Sequence, residues 1–140
     1  MRFQIFAAVG ALAAAGLLPF VGCSGRAAVP GTVPLHGTVV FTKGGPVKVL
    51  ADRQGIVEFE SIEQPDLHAY GAIGEDGSFS LTTAKGNAGS EGAVPGTHRV
   101  RLKLDSTTES YVAPQFLSFE NSGITVKVPS DQPVEIKVWR

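Results

Sequence analysis

The chain has 140 residues, a formal net charge of −1 and one cysteine. That length gives one domain and one core, the single thiol excludes an intrachain disulfide, and the near-neutral charge offers no basic field for nucleic acid. Glycine (17) and proline (9) are frequent and the aromatics are mostly Phe; with the many Val and Thr, this favours short strands and tight turns over helices.

Met1-Arg2 supplies a short positive start, and residues 5–18 (IFAAVGALAAAGLL) are apolar and uncharged. The run is too short and too rich in Ala and Gly for a membrane span, which needs about 20 apolar residues. Pro19 ends any helix there, and no helix is expected after it. Phe20-Val21-Gly22-Cys23-Ser24 follows. It resembles a lipobox, the signal for lipid transfer to a cysteine thiol and cleavage before it. Small Gly22 fits the residue before the cut, while Phe20 stands where that pattern usually has Leu. Residues 1–22 are thus expected to be a lipoprotein signal peptide, with Cys23 as the lipidation site. Two or three acyl chains on that thiol would anchor the protein stably to a membrane. Residues 24–34 (SGRAAVPGTVP) have no apolar periodicity and read as a tether, with a reach of roughly 15–20 Å. Residues 35–140 are left as the domain.

Residues 35–41 (LHGTVVF) form the first expected strand, and Lys43-Gly44-Gly45-Pro46 a turn. Residues 56–62 (IVEFESI) alternate, with Val57, Phe59 and Ser61 on the buried side and Glu58 and Glu60 on the other. Residues 68–73 (HAYGAI) are a weaker strand, interrupted by Gly71; Glu75-Asp76-Gly77 is a hairpin turn. Residues 78–83 (SFSLTT) turn Phe79 and Leu81 inward, and residues 85–91 (KGNAGSE) read as a polar loop. In residues 98–104 (HRVRLKL), Val100, Leu102 and Leu104 face the core, while Arg99, Arg101 and Lys103 form a basic outer face. Residues 112–119 are irregular and apolar, a plug for one end of the core. Residues 124–128 (ITVKV) and 134–139 (VEIKVW) alternate again, and the short connection between them predicts an antiparallel hairpin.

Seven strands with two inward faces predict an all-β fold, a seven-stranded antiparallel two-sheet sandwich of immunoglobulin-like or prealbumin-like type. The expected core is Val39, Phe41, Val57, Phe59, Phe79, Leu81, Val100, Leu102, Ile124, Val126, Ile136 and Val138. By the same parity, truncating Phe79 should be costly, and truncating Arg101 should stay within about 0.5 kcal/mol.

Candidate sites are few. His36, His68 and His98 are metal-ligand types, but their spacing is not that of a ligand set, and no metal or cofactor is expected. No Gly-x-Ser-x-Gly elbow occurs. Glu75-Asp76-Gly77 lacks the repeated oxygen ligands of a calcium loop, and the glycines of residues 85–92 precede a strand and carry no Gly-Lys-Ser/Thr. Two features suggest binding. Trp139 falls on the outward parity of its strand beside Glu135, Lys137 and the terminal Arg140, where it could dock a sugar, peptide or protein, or instead fold over the sandwich rim. Arg99, Arg101 and Lys103 could meet an acidic envelope polymer, or be solvated and paired with Glu135 or Glu58.

Three segments carry a family resemblance: Ala69-Tyr70-Gly71-Ala72-Ile73-Gly74-Glu75-Asp76-Gly77-Ser78-Phe79, then Glu91-Gly92-Ala93-Val94-Pro95-Gly96-Thr97-His98-Arg99-Val100, then Phe119-Glu120-Asn121-Ser122-Gly123-Ile124-Thr125-Val126. In order and spacing the chain resembles the carboxypeptidase-regulatory-like, transthyretin-like domains of small planctomycete-type lipoproteins. One departure is residues 47–54, longer and more polar than the usual connection to the second strand. The resemblance implies a prealbumin-like sandwich in the cell envelope with no known enzymatic activity, and it transfers no functional residues. Transthyretin-fold hydrolases of a purine-breakdown intermediate end in a Tyr-Arg-Gly-Ser tail, whereas this chain ends Lys137-Val138-Trp139-Arg140.

The function expected from the sequence is therefore non-catalytic. The chain reads as an envelope lipoprotein, periplasmic or on the outer surface, whose sandwich is a binding or structural module for a protein, glycan or wall polymer. An accessory subunit of an envelope transport or secretion complex is the alternative, and a transthyretin-fold hydrolase a distant one.

Overall fold

A computed structural model describes residues 31–85 and 88–140. The expected signal peptide, Cys23 and most of the tether lie outside the described residues. Among the described residues, no helix is long and apolar enough to cross a membrane.

The chain runs β1 (His36–Phe41), α1 (Val47–Asp52), β2 (Ile56–Ser61), β3 (His68–Ala72), β4 (Ser78–Ser80), β5 (Thr82–Lys85), β6 (Ala88–Glu91) and β7 (Gly96–Lys103). Two 3-10 turns, Glu109–Tyr111 and Pro114–Leu117, precede β8 (Thr125–Val128) and β9 (Val134–Val138). The strands form a three-stranded sheet, order β4-β1-β9, and a six-stranded sheet, order β6-β5-β3-β2-β7-β8. One core joins them. Val39, Phe79, Ile136 and Val138 from the small sheet pack with Val57, Phe59, Val100 and Leu102 from the large one. The rings of Phe59 and Phe79 meet across the sheets at 6.1 Å. The fold is therefore an all-β sandwich in outline, with one short α-helix among the described residues.

Its strand count is nine among the described residues, where seven were expected. Residues 78–83 do not stay in one sheet. Leu81 is a buried corner whose N–H donates to Leu35 and whose carbonyl accepts from Gly92, so β4 joins the small sheet and β5 the large one. The expected loop at 85–91 supplies the antiparallel partner of β5, with Thr82 opposite Glu91 and Thr83 opposite Ser90.

Two further expectations fail. Residues 124–128 and 134–139 do not form a hairpin: β8 pairs antiparallel with β7, while β9 crosses to the small sheet and runs parallel to β1. Val128 and Val134 are both buried, and the prolines of the connection remove backbone donors. The two strands therefore end in different sheets instead of lying side by side, and the sandwich is not purely antiparallel. A helix also does follow Pro19. In α1 the i, i+3 spacing of Val47 and Leu50 turns both toward the core, where Leu50 is fully buried, and Lys48 reaches Asp52 at 3.2 Å on the solvent side.

Phe41, Ile124 and Val126 are only partly buried at the core margin, because β8 is an edge strand and Phe41 lies at the end of β1. Leu50, Ile73, Val112 and Phe116 join the core. Pairing begins ahead of β1: Val33 and Ala93 exchange backbone hydrogen bonds of 2.8 and 3.0 Å. Gly92 permits this approach, since at φ +90 a Cβ would overlap the Val33 carbonyl. Residues paired with the sandwich thus begin at Val33, two ahead of the expected start of the domain at Leu35.

Candidate functional site

The outer face of the large sheet gathers the charged side chains. Strand alternation puts Glu58 and Glu60 on that face of β2, His68 and Tyr70 on β3, and Arg99 and Arg101 on β7. The register sets Glu58 between Tyr70 and Arg101, and Glu60 between His68 and Arg99. Phe119, arriving from the segment before β8, lies over this face. The Arg101 guanidinium stacks on its ring at 4.4 Å, and the His68 ring meets it edge-on at 5.8 Å.

Glu58 is the hub. Only 3% of the residue is exposed. One carboxylate oxygen accepts from Arg101 Nε at 2.7 Å, and the other is 3.0 Å from His68 Nδ1. An ionised carboxylate only accepts, so Nδ1 carries the proton and Nε2 points away from Glu58. Burial pushes the Glu58 carboxyl up. The hydrogen bond and charge of Arg101, then those of His68, outweigh that and hold it below the ordinary value. Tyr70 is pushed up, first by burial and then by the charge of Glu58 and a hydrogen bond to it. Beside this group, Arg99 donates to Glu60 at 2.9 Å. At the rim, Ser118 donates to Glu120 at 2.7 Å and is the main reason that carboxyl lies low, with Arg99 and Arg101 adding to it.

Of the two partners expected for the basic face of Arg99, Arg101 and Lys103, Glu58 is the one it meets, through Arg101. Arg99 and Arg101 are paired to glutamates on the neighbouring strand, and only Lys103 stands exposed at the end of β7. Glu135 belongs to the other sheet and pairs with Lys137 at 3.6 Å. Chemically, the face is a neutralised charge network with one half-open imidazole. It opposes acid. Because the Glu58 pKa is lower in the folded chain than in the unfolded one, its stabilisation is complete above its ordinary value of 4.5 and is lost as pH falls through the lowered folded value. Urea midpoints should thus drop as pH falls below about 4.5, with a shallower drop in Glu58→Gln. Parallel curves would assign the acid sensitivity to another group.

The three histidines do not converge. His36 bonds Ser80 Oγ at 2.8 Å on the small sheet, His68 sits on the outer face of the large one, and His98 is in the core with Nε2 2.8 Å from the Val94 carbonyl. Among the described residues no group of three or more His, Cys, Asp or Glu is placed to hold a metal ion. Asp76 closes the 75–77 turn by accepting from the Ser78 N–H at 3.0 Å and its hydroxyl at 2.6 Å.

Trp139 lies at the sandwich rim, 40% exposed. Phe116 meets its ring edge-on at 4.6 Å, and its carbonyl accepts from the Ala113 N–H. One part of the indole is thus packed and another open. The pairing of the basic face with Glu58 is legible in the sequence, but the contacts of His68 with Glu58 and of Phe119 with Arg101 are not, because they require knowing that β3 and β7 flank β2 and that Phe119 comes over this face. Compared with protein-family models, curated proteins and solved structures, the chain matches none of them.

Proposed function

We propose that the chain is a cell-envelope lipoprotein, exported, cut before Cys23 and held on a membrane by acyl chains on that thiol. Its sandwich, of prealbumin-like type, is a non-catalytic binding or structural module for an envelope protein or glycan. The observation that carries this is the position of the single cysteine, directly after Gly22 and an uncharged apolar run. Two features of the fold support it. The chain is gripped at Val33, which leaves a tether short enough to keep the domain near the membrane surface. The candidate reactive groups are engaged in the fold itself: Arg101 and His68 with Glu58, Arg99 with Glu60, His98 with the Val94 carbonyl. The open part of the Trp139 ring is the surface offered to a partner.

Cys23→Ser tests the anchoring. The variant should leave the membrane fraction, or accumulate as an unprocessed precursor, with the domain still folded. Wild-type distribution and processing of the variant would refute the anchor.

A further inference from the structure

The small sheet ends on a strand that is complementary to itself. In the order β4-β1-β9, β9 is an edge. The Val138 carbonyl accepts from Thr42, at the end of β1, whereas the Trp139 carbonyl faces the other way and accepts from Ala113. Backbone groups alternate in direction along a strand, so Val134, Ile136 and Val138 bond toward β1, and Glu135 and Lys137 present their N–H and C=O groups to the open edge. Side chains alternate as well. Val134, Ile136 and Val138 are buried, while Glu135 and Lys137 stand on the outer face, 54% and 64% exposed. A groove lined by Thr125, Lys127, Pro129 and Glu135 runs beside this edge, between it and β8.

We propose that this edge is an interface with a second copy of the same chain, β9 pairing antiparallel with β9 about a two-fold axis at Ile136. That register sets Glu135 of each copy opposite Lys137 of the other. The two residues with edge-facing backbone groups become hydrogen-bonded partners, and opposite charges meet twice across the axis. At the strand ends it sets Trp139, whose carbonyl is already taken by Ala113, opposite Pro133, which has no N–H to offer. A shift by one residue would put backbone groups that already bond to β1 against the partner's edge, and a parallel pairing that used only edge-facing groups would not be two-fold symmetric. The interface is isologous and closes at two copies, joining the two small sheets into one of six strands. The Glu135–Lys137 contact at 3.6 Å within one chain is exposed, and the dimer exchanges the two such contacts, one in each copy, for two between chains.

The test uses the full chain in the cells that make it, with two differently tagged copies co-expressed and joined by a zero-length carbodiimide. A carboxylate-to-amine link forms only at contact. Mixed dimers carrying both tags, linked between Glu135 and Lys137, are expected. Lys137→Glu, which sets like charges opposite one another, should lower the dimer yield at least about tenfold even when the remaining lysines are left to react. A short bifunctional lysine-independent photo-cross-linker at Thr125 reports association without relying on the altered charge. By that readout, the exchange Glu135→Lys with Lys137→Glu should restore the dimer. Both positions are exposed, so far-UV circular dichroism of the variants should show the wild-type fold. Absence of mixed dimers, dimers indifferent to Lys137→Glu, a double exchange that fails to restore them, or cross-links from this edge to a different protein would each overturn the proposal.

Discussion

Phe79→Ala is expected to destabilise the domain by about 3–5 kcal/mol, the range for deleting a buried aromatic that leaves a cavity behind. Phe79 sits on the short β4 with 3% of its surface exposed, and its ring crosses the sandwich to Phe59 at 6.1 Å. It also fills the space that a side chain at Gly37 would need. The neighbours cannot collapse into the void, because Gly37 has no side chain to move and Phe59 is held in the central strand of the large sheet. Urea unfolding followed by fluorescence measures the loss. A midpoint close to wild type would mean that β4 is not packed against the large sheet.

Arg101→Ala is the second large effect. By the parity of its strand the change should be nearly neutral, but the structure reverses that expectation. Arg101 is one-third exposed, while the carboxylate it neutralises is 4% exposed. Removing one partner of a buried ion pair costs about 3–5 kcal/mol, and the partial exposure of Arg101 reduces this to about 2–3 kcal/mol. The stacking on Phe119 is lost with it. The companion variant Glu58→Gln separates the terms: in the double variant the arginine no longer leaves a bare charge, so the two losses should sum to more than the loss of the pair. Strict additivity, or an Arg101→Ala cost within about 0.5 kcal/mol, would show that the outer face is solvated.

Alternation made much of the sandwich legible. Residues 56–61 and 98–103 show which side chains are inward, and Val57, Phe59, Val100 and Leu102 are indeed buried. Sheet membership was not legible, because period-two patterning identifies a face and is silent on the neighbour. Hence β9 looked like the partner of β8, and Leu81 gave no sign of being a corner. The β5–β6 hairpin was hidden for a different reason. Thr82, Ala84 and Gly89 carry no apolar alternation, since β6 is an edge of the large sheet with little to bury. Helix α1 did leave a trace in the spacing of Val47 and Leu50 and of Lys48 and Asp52, outweighed by the surrounding glycines and proline.

The same distinction applies to the site. Glu58, His68, Arg99 and Arg101 each announce an outward position, and a polar outer face is the ordinary expectation for an antiparallel sheet. Only the order β3-β2-β7, together with Phe119 brought over from a distant segment, turns that face into a half-buried network. The alternation of residues 134–139 points Trp139 outward, and it is 40% exposed, yet its contact with Phe116 depends on the turn at Pro114–Leu117, whose sequence has no periodic signature.

The central claim is the anchor, and intact-mass measurement of the protein extracted from membranes tests it most directly. A mature chain beginning at Cys23, heavier than its polypeptide by two or three acyl groups that localise to that residue, is the result predicted. A different N-terminus, or Cys23 carrying no acyl mass, would contradict it.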